Sequence, residues 1–259
     1  MKVVLFCGGL GTRLREFTDT IPKPMVNIGD QPILWHLMKY YAHFGHNEFI
    51  LCLGYKGDLI KQYFMNLPPS TSNDLKPSGL ADVLHFVNDD NTEWKITFAD
   101  TGANTNIGQR LLAVKDYLGD DDTFLANYSD GLSDLPLGDY LEHFHTKNKI
   151  ASFVCVRPKH SFHTVAVGSD GLVQDIRQAS QSDFWINGGF FAFKREIFDY
   201  LQEGEELVEE PFQRLIAEKQ LLAYTHEGFW GCMDTLKDKK VFDDMDQQGE
   251  RPWQLWPPS

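Results

Sequence analysis

Val3-Val4-Leu5-Phe6-Cys7-Gly8-Gly9-Leu10-Gly11-Thr12-Arg13-Leu14, with Ile21-Pro22-Lys23-Pro24-Met25 close behind, is the stretch that decides the fold. The apolar run Val3–Phe6 reads as a buried strand that empties into a loop carrying three glycines. Glycine lets backbone N–H groups come close to phosphate oxygens, and a concavity of such groups favours anions. Arg13 and Lys23 add fixed positive charge where a triphosphate would sit. The stretch therefore reads as a nucleotide site built on the first strand of an α/β domain.

Its spacing excludes two common glycine loops. A P-loop needs Gly-x-x-x-x-Gly-Lys-Ser/Thr, but counting from Gly8 or Gly9 reaches Arg13 or Leu14 with no Lys-Ser/Thr behind it. The dinucleotide fingerprint Gly-x-Gly-x-x-Gly fits Gly9 and Gly11 and fails at Leu14. A plain tight turn would explain the glycines alone. It would not explain Arg13 together with Pro22-Lys23-Pro24.

Outward from this loop, apolar runs and amphipathic stretches alternate. Strands are expected at Phe49–Leu53, Lys95–Phe98 and Thr123–Asn127, and helices at Ile33–Phe44, Leu59–Phe64 and Arg110–Tyr117. This order implies βαβ units and a mostly parallel sheet with helices on both faces. Further strands are expected at Ile150–Val156, Thr164–Val167, Gly188–Phe193 and Leu221–Tyr224, with helices at Arg195–Leu201 and Pro211–Glu218. The polar, proline-bearing stretch 66–92 reads as a surface insertion in a single domain spanning 1–259. The apolar tail from Pro252 to Pro258 is expected to pack on the body or on a second subunit.

At 259 residues the chain can bury a substantial core, and 42% hydrophobic with 24% charged residues is ordinary for a globular protein. A net charge of −13 argues against nucleic acid or an anionic membrane as partner. An anionic substrate must then be drawn in by a local cationic pocket. Cys7, Cys52, Cys155 and Cys232 form no zinc-spaced cluster and read as reduced core thiols. Met1 leads straight into the first strand and no apolar run is long enough to span a bilayer, so a cytoplasmic location is expected.

Two carboxylates stand out. Asp130, after Phe124-Leu125-Ala126-Asn127-Tyr128-Ser129, lies at the carboxyl end of a buried strand, where ligands of open α/β sheets bind. Asp234 sits among Trp230, Cys232 and Met233, and a carboxylate in such surroundings is costly unless paired or bound to a metal. Together the two suit one Mg²⁺, a hard ion that takes oxygen ligands and keeps waters and phosphates in its other positions. Asp100-Thr101-Gly102, Gly108-Gln109-Arg110 and Gly54-Tyr55-Lys56 are weaker candidates for the cleft, and Asn187-Gly188-Gly189 suits either sugar hydroxyls or a tight turn. His160 and His163 read as structural.

The glycine loop with Pro22-Lys23-Pro24-Met25 resembles the signature of the sugar-1-phosphate nucleotidylyltransferases, and within them the glucose-1-phosphate cytidylyltransferases. Supporting stretches are Gly54-Tyr55-Lys56-Gly57, Asp100-Thr101-Gly102, Asp130-Gly131, Ile186-Asn187-Gly188-Gly189, Met233-Asp234-Thr235 and the closing Pro252-Trp253 with Trp256. The resemblance runs nearly end to end. It implies a Rossmann-like α/β fold of the nucleotide-diphospho-sugar transferase type, a homo-oligomer, Mg²⁺, and CTP plus a hexose-1-phosphate as substrates. By matching position, it implies that Gly8, Gly9 and Gly11 cradle the nucleotide and that Arg13 and Lys23 bind the triphosphate; Thr12, Gly54 and Arg110 are further candidate nucleotide contacts. Asp130 and Asp234 would hold the metal, with Arg13, Lys23 and Asp130 catalytic; Asn187 and Gly188 would contact the acceptor.

One departure is specific. The family carries Glu-Lys-Pro after the strand that here begins Gly171-Leu172-Val173, and its lysine grips the acceptor phosphate; this chain reads Arg177-Gln178-Ala179-Ser180, with Ala179 at the lysine position. Losing a cation against a phosphate costs on the order of 2–5 kcal/mol if nothing compensates. Either Arg177, Lys159 or His163 substitutes, or the acceptor is a different phosphorylated molecule or a phosphonate. A silent nucleotide-binding subunit is the rival from another class, and a full set of Arg13, Lys23, Asp130 and Asp234 speaks against it.

Overall fold

In a computed structural model, residues 1–67, 74–78, 81–88, 92–158, 163–178 and 184–257 are described. Strand β1 (Val3–Phe6) lies at the centre of a ten-stranded sheet, between β4 (Glu48–Leu53) and β8 (Thr123–Tyr128), parallel to both. β7 (Glu93–Asp100) adds in parallel outside β4. The chain thus builds outward from β1 to β4 and β7, then returns to place β8 on the other side. That reversal creates a crevice beyond the carboxyl ends of β1 and β8, the ordinary ligand site of an open α/β sheet. The expected Rossmann-like core is present.

β1 is buried on both faces, with Val3 and Leu5 packing into one core and Val4 and Phe6 into the other. A continuous apolar run is what a central parallel strand requires. On the first face lie α2 (Ile33–His43), α3 (Gly57–Asn66), α5 (Leu137–Lys147) and α7 (Leu236–Gln247). On the second lie α4 (Ile107–Ala113) and α6 (Glu210–Ala217), with a 3-10 turn at Arg195–Asp199 between them in the chain.

Both flanks of the sheet are antiparallel. Beyond β8 come β14 (Phe191–Lys194) and β10 (Ala151–Val156), and β10 also pairs with β13 (Ile186–Asn187) and, in parallel, with β15 (Leu221–His226). Beyond β7 come β6 (Ala81–Val87) and β5 (Asp74–Ser78), so part of the stretch read as an insertion extends the sheet. The single strand expected over Gly188–Phe193 is two, because Gly189 and Phe190 turn the chain with φ of 77° and 50°. β11 (His163–Val167) and β12 (Val173–Gln178) form a separate ribbon. The tail packs on its own body, with Trp253 buried against His36, Phe229 and Phe242.

Two small pairings shape the crevice. β2 (Asn27–Ile28) and β3 (Gln31–Pro32) form one; β9 (Gly131–Ser133) and β16 (Trp230–Cys232) form the other. Helix α1 (Arg15–Thr18) is a single turn following the glycine loop.

Candidate active site

Register sets the site. Phe6 lies opposite Tyr128 across the parallel β1–β8 pair, so the glycine loop leaving β1 faces Ser129 and Asp130 leaving β8. Ser129 Oγ donates to the carbonyl of Phe6 at 2.8 Å and ties the two exits together. Asp234 arrives by a different route. Cys232 pairs with Gly131 across β9–β16, and Met233 N–H donates to the carbonyl of Asp130 at 2.8 Å, so the chain delivers Asp234 beside Asp130. It is fixed from the other side by α7, whose first turn is closed by a capping box between Thr235 and Asp238, with Asp234 N–H donating to Asp238 Oδ2 at 3.2 Å.

Lys23 enters from a 3-10 turn, Lys23–Met25, held between Pro22 and Pro24. Its Nζ donates to Asp130 Oδ2 at 2.5 Å and to Asp234 Oδ1 at 2.7 Å. Burial alone would push this ammonium down; the charge of Asp130 and hydrogen bonds to both carboxylates outweigh burial and hold it above the ordinary lysine range. Arg13 reaches the other oxygen of Asp234, with three quarters of its side chain exposed. Two cations and two carboxylates thus meet at one point.

These groups line a cavity of about 360 Å³ together with Gly9, Gly11, Thr12, Leu10 and Pro24 on one wall and Tyr128, Ser129 and Ile107 on the other. That size suits a small ligand. Among the described residues no group of three or more His, Cys, Asp and Glu side chains is placed to hold a metal. The two carboxylates still suit Mg²⁺, because their oxygens converge on a single cationic atom and this ion takes its remaining ligands from phosphates and water. Lys23 Nζ lies between them.

Other expected site residues divide. Arg110 does not face the cleft: it is 2% exposed, and its guanidinium donates to the carbonyls of Gly8 at 3.0 Å and Leu53 at 3.2 Å and to Thr101 Oγ1 at 2.7 Å. The physical reason is that three strand-end oxygens converge under the loop and a buried carbonyl must be paired. Arg110 is a prop for the glycine loop, which corrects its expected role as a nucleotide contact. Gly8 and Gly54 belong to the same layer. A Cβ at Gly8 would lie 2.0 Å from Arg110 Nη1, and one at Gly54 would lie 2.9 Å from Gly8 Cα.

On the far side of β8, Asn187 Oδ1 accepts from Gly189 N–H at 2.9 Å, and Gly188 is pinned between the carbonyl of Val154 and the indole N–H of Trp230. The turn is locked from below by buried Asn127, whose Oδ1 accepts from Phe190 N–H at 3.0 Å and whose Nδ2 donates to Tyr41 Oη at 3.1 Å. Arg177 stands exposed on β12, paired with Asp175 at 2.5 Å, and is not among the residues lining the cavity. Lys159, His160, Ala179 and Ser180 lie outside the described residues.

The sequence places Tyr128, Ser129 and Asn127 only in the strand before Asp130. Their polar side chains at the carboxyl end of an otherwise apolar strand were the available signal.

The sequence pattern of a family described as nucleotidyl transferase matches residues 2–238. The chain belongs to the nucleotidyl transferase family. It is 41% identical over 258 residues to the Bacillus subtilis protein described as "Probable glucose-1-phosphate cytidylyltransferase", covering 99% of this chain and 100% of that one. It is 38% identical over 259 residues to the glucose-1-phosphate cytidylyltransferase of Salmonella typhimurium, with 99% and 100% covered. Among solved structures, a UDP-glucose pyrophosphorylase complexed with UDP-glucose superposes with a TM-score of 0.69 at 14% identity, over 96% of this chain and 98% of that one. The fold is therefore that of the nucleotide-diphospho-sugar transferases. As a family member the chain is an enzyme of nucleotidyl transfer.

Proposed function

We propose that this chain transfers the cytidylyl group of CTP to glucose-1-phosphate, giving CDP-glucose and pyrophosphate. The observation that carries the reading is the meeting of Arg13, Lys23, Asp130 and Asp234 beside the glycine loop. Full-length relatives described as glucose-1-phosphate cytidylyltransferases support the choice of base and sugar.

A phosphate oxygen of the acceptor attacks the α-phosphorus in line, forming one P–O bond as the bond from the α-phosphorus to the bridging oxygen breaks and pyrophosphate departs. The acceptor phosphate is already ionised, so no protein nucleophile is required. The work of the protein is to align two anions that repel and to offset charge on the bridging oxygen. Loop amides from Gly9 to Thr12 cradle the triphosphate, and exposed Arg13 holds the leaving pyrophosphate. Lys23 turns from the carboxylates to the α-phosphate. Asp130 and Asp234 would hold Mg²⁺, which when bound supplies Lewis-acid neutralisation of phosphate charge. Asn187 and Gly188 receive the sugar.

Ala179 in place of the family's lysine favours a second reading, the same transfer to another phosphorylated acceptor. Pyrophosphate release measured over the four nucleoside triphosphates crossed with glucose-1-phosphate, other sugar phosphates and a phosphonate decides between them. CTP with glucose-1-phosphate should be the fastest pair. CTP turning over only with another acceptor would favour the second reading, and no turnover in folded protein would refute both. The proposal includes a homo-oligomer, supported by the ribbon: Val165 faces Ile176 and Val167 faces Val173, all four about half exposed or more. Sedimentation of the intact chain tests it, a monomer at micromolar concentration being the contrary result.

A further inference from the structure

We propose that Tyr55 and Lys56 are positioning residues, forming a latch that sets the curvature of the glycine loop from outside the cleft. The inference rests on the reading of that loop as the triphosphate cradle. Past Gly11 the loop has little packing of its own: in the turns from Thr12 to Thr18 only Leu14 and Thr18 are buried, and Arg13, Arg15 and Glu16 are exposed. α1 is one turn long, too short to hold its shape unaided. Hydrogen bonds must fix what burial does not.

They come from the turn after β4. Tyr55 Oη donates to the carbonyl of Thr18 at 3.2 Å. Lys56 Nζ donates to the same carbonyl at 3.2 Å and to the carbonyl of Asp19. These are the carbonyls at the end of α1, which have no helical partner of their own, and a lysine is a suitable cap for them. Thr18 passes the constraint inward. Its Oγ1 donates to the carbonyls of Gly11 at 2.9 Å and Leu14 at 3.2 Å. Gly11 has a φ of 61°, and a Cβ there would meet Thr18 Cγ2 at 2.6 Å, so Thr18 fits the loop closely. A hydrogen-bonded path runs from Lys56 through Thr18 to Gly11, two residues before Arg13.

Lys56 itself carries the second sign of a selected role. Its φ is 52°, a left-handed conformation that glycine adopts freely and a lysine does not. At a turn flanked by Gly54 and Gly57, a long cationic side chain on a strained backbone is explained by what its ammonium holds. The latch acts on the loop amides and Arg13, not on the reacting atoms.

The test compares wild type with Lys56→Asn, Lys56→Arg and Tyr55→Phe. Asparagine tolerates the left-handed backbone but is too short to reach Thr18, so it removes the contact without adding strain. Amide hydrogen exchange over residues 11–19 is read without nucleotide, beside KM for CTP and kcat. Lys56→Asn should speed exchange of that segment and raise KM for CTP, each about tenfold, as expected for loss of a charge-assisted hydrogen bond. Tyr55→Phe should do the same to a smaller degree, and Lys56→Arg should restore both readings. Wild-type exchange of the segment in Lys56→Asn, or an unchanged KM for CTP, would overturn the latch. Failure of the functional reading shows separately, as absence of transfer in the wild type, and leaves the exchange comparison decisive for the latch.

Discussion

The Lys23 ammonium neutralises Asp130 and Asp234, and on the proposed mechanism it turns to the α-phosphate during transfer. Lys23→Met should therefore lower kcat by about 10²–10³, the range for losing one preorganised charge at a transition state. Steady-state pyrophosphate release checks this, and a loss under threefold would remove Lys23 from the chemistry. Arg110 makes the contrasting case. With its guanidinium bonded to the carbonyls of Gly8 and Leu53 and to Thr101 Oγ1, Arg110→Met should cost stability, about 1–3 kcal/mol, by removing three buried hydrogen bonds beneath the glycine loop. Urea unfolding measures that directly. In sequence the two cations look alike; only burial separates a ligand contact from a prop, and burial of Arg110 depends on where β4 and β7 end.

At the scale of elements, long apolar strands and strongly periodic helices were legible: Phe49–Leu53, Thr123–Asn127 and Ile33–Phe44 lie within a residue or so of β4, β8 and α2. The pairing of β9 with β16 was not. Each has three residues, too few for a period, and the partners are far apart in sequence; Ser133 Oγ bonds the carbonyl of Phe229 across 96 residues. Yet this pairing delivers Asp234. α7 also escaped, because its sequence Leu-Lys-Asp-Lys-Lys-Val-Phe-Asp-Asp-Met-Asp-Gln buries fully only Phe242 among the polar residues that mask its period. The turn at Asn187–Phe190 depends on a residue in another element, Asn127 in β8. Asn127→Ala should destabilise the fold by about 2–3 kcal/mol, since Phe190 N–H and Tyr41 Oη lose a buried partner. A drop below about 0.5 kcal/mol in chemical unfolding would contradict that role.

For the whole molecule, a net charge of −13 surrounds a pocket that must take two anions. The cleft answers with cations held locally, and no helix among the described residues is long and apolar enough to cross a membrane. Overall stability carries a titration remote from the cleft. Burial, with a smaller contribution from the amino-terminal charge, pushes the His46 imidazole down from 6.5 to about 4. The folded state thus favours the neutral ring, and its contribution is complete above pH 6.5 and lost as pH falls toward 4. Wild type should lose about 1–2 kcal/mol more than His46→Gln over that interval, less than the full shift implies because the ring is only partly buried. Unfolding curves for the two proteins between pH 7.5 and 4 measure the difference, and parallel curves would contradict it.

On the proposed mechanism Asp130 and Asp234, turned from Lys23, take one divalent ion together with the triphosphate. The most direct measurement of this is Mn²⁺ electron paramagnetic resonance with a non-transferable CTP analogue, on wild type and on Asp130→Asn/Asp234→Asn. Wild type should bind one Mn²⁺–nucleotide per chain, and the double variant should bind it more than about tenfold more weakly. Equal affinity in the two proteins would place the metal elsewhere and refute the role of the two aspartates.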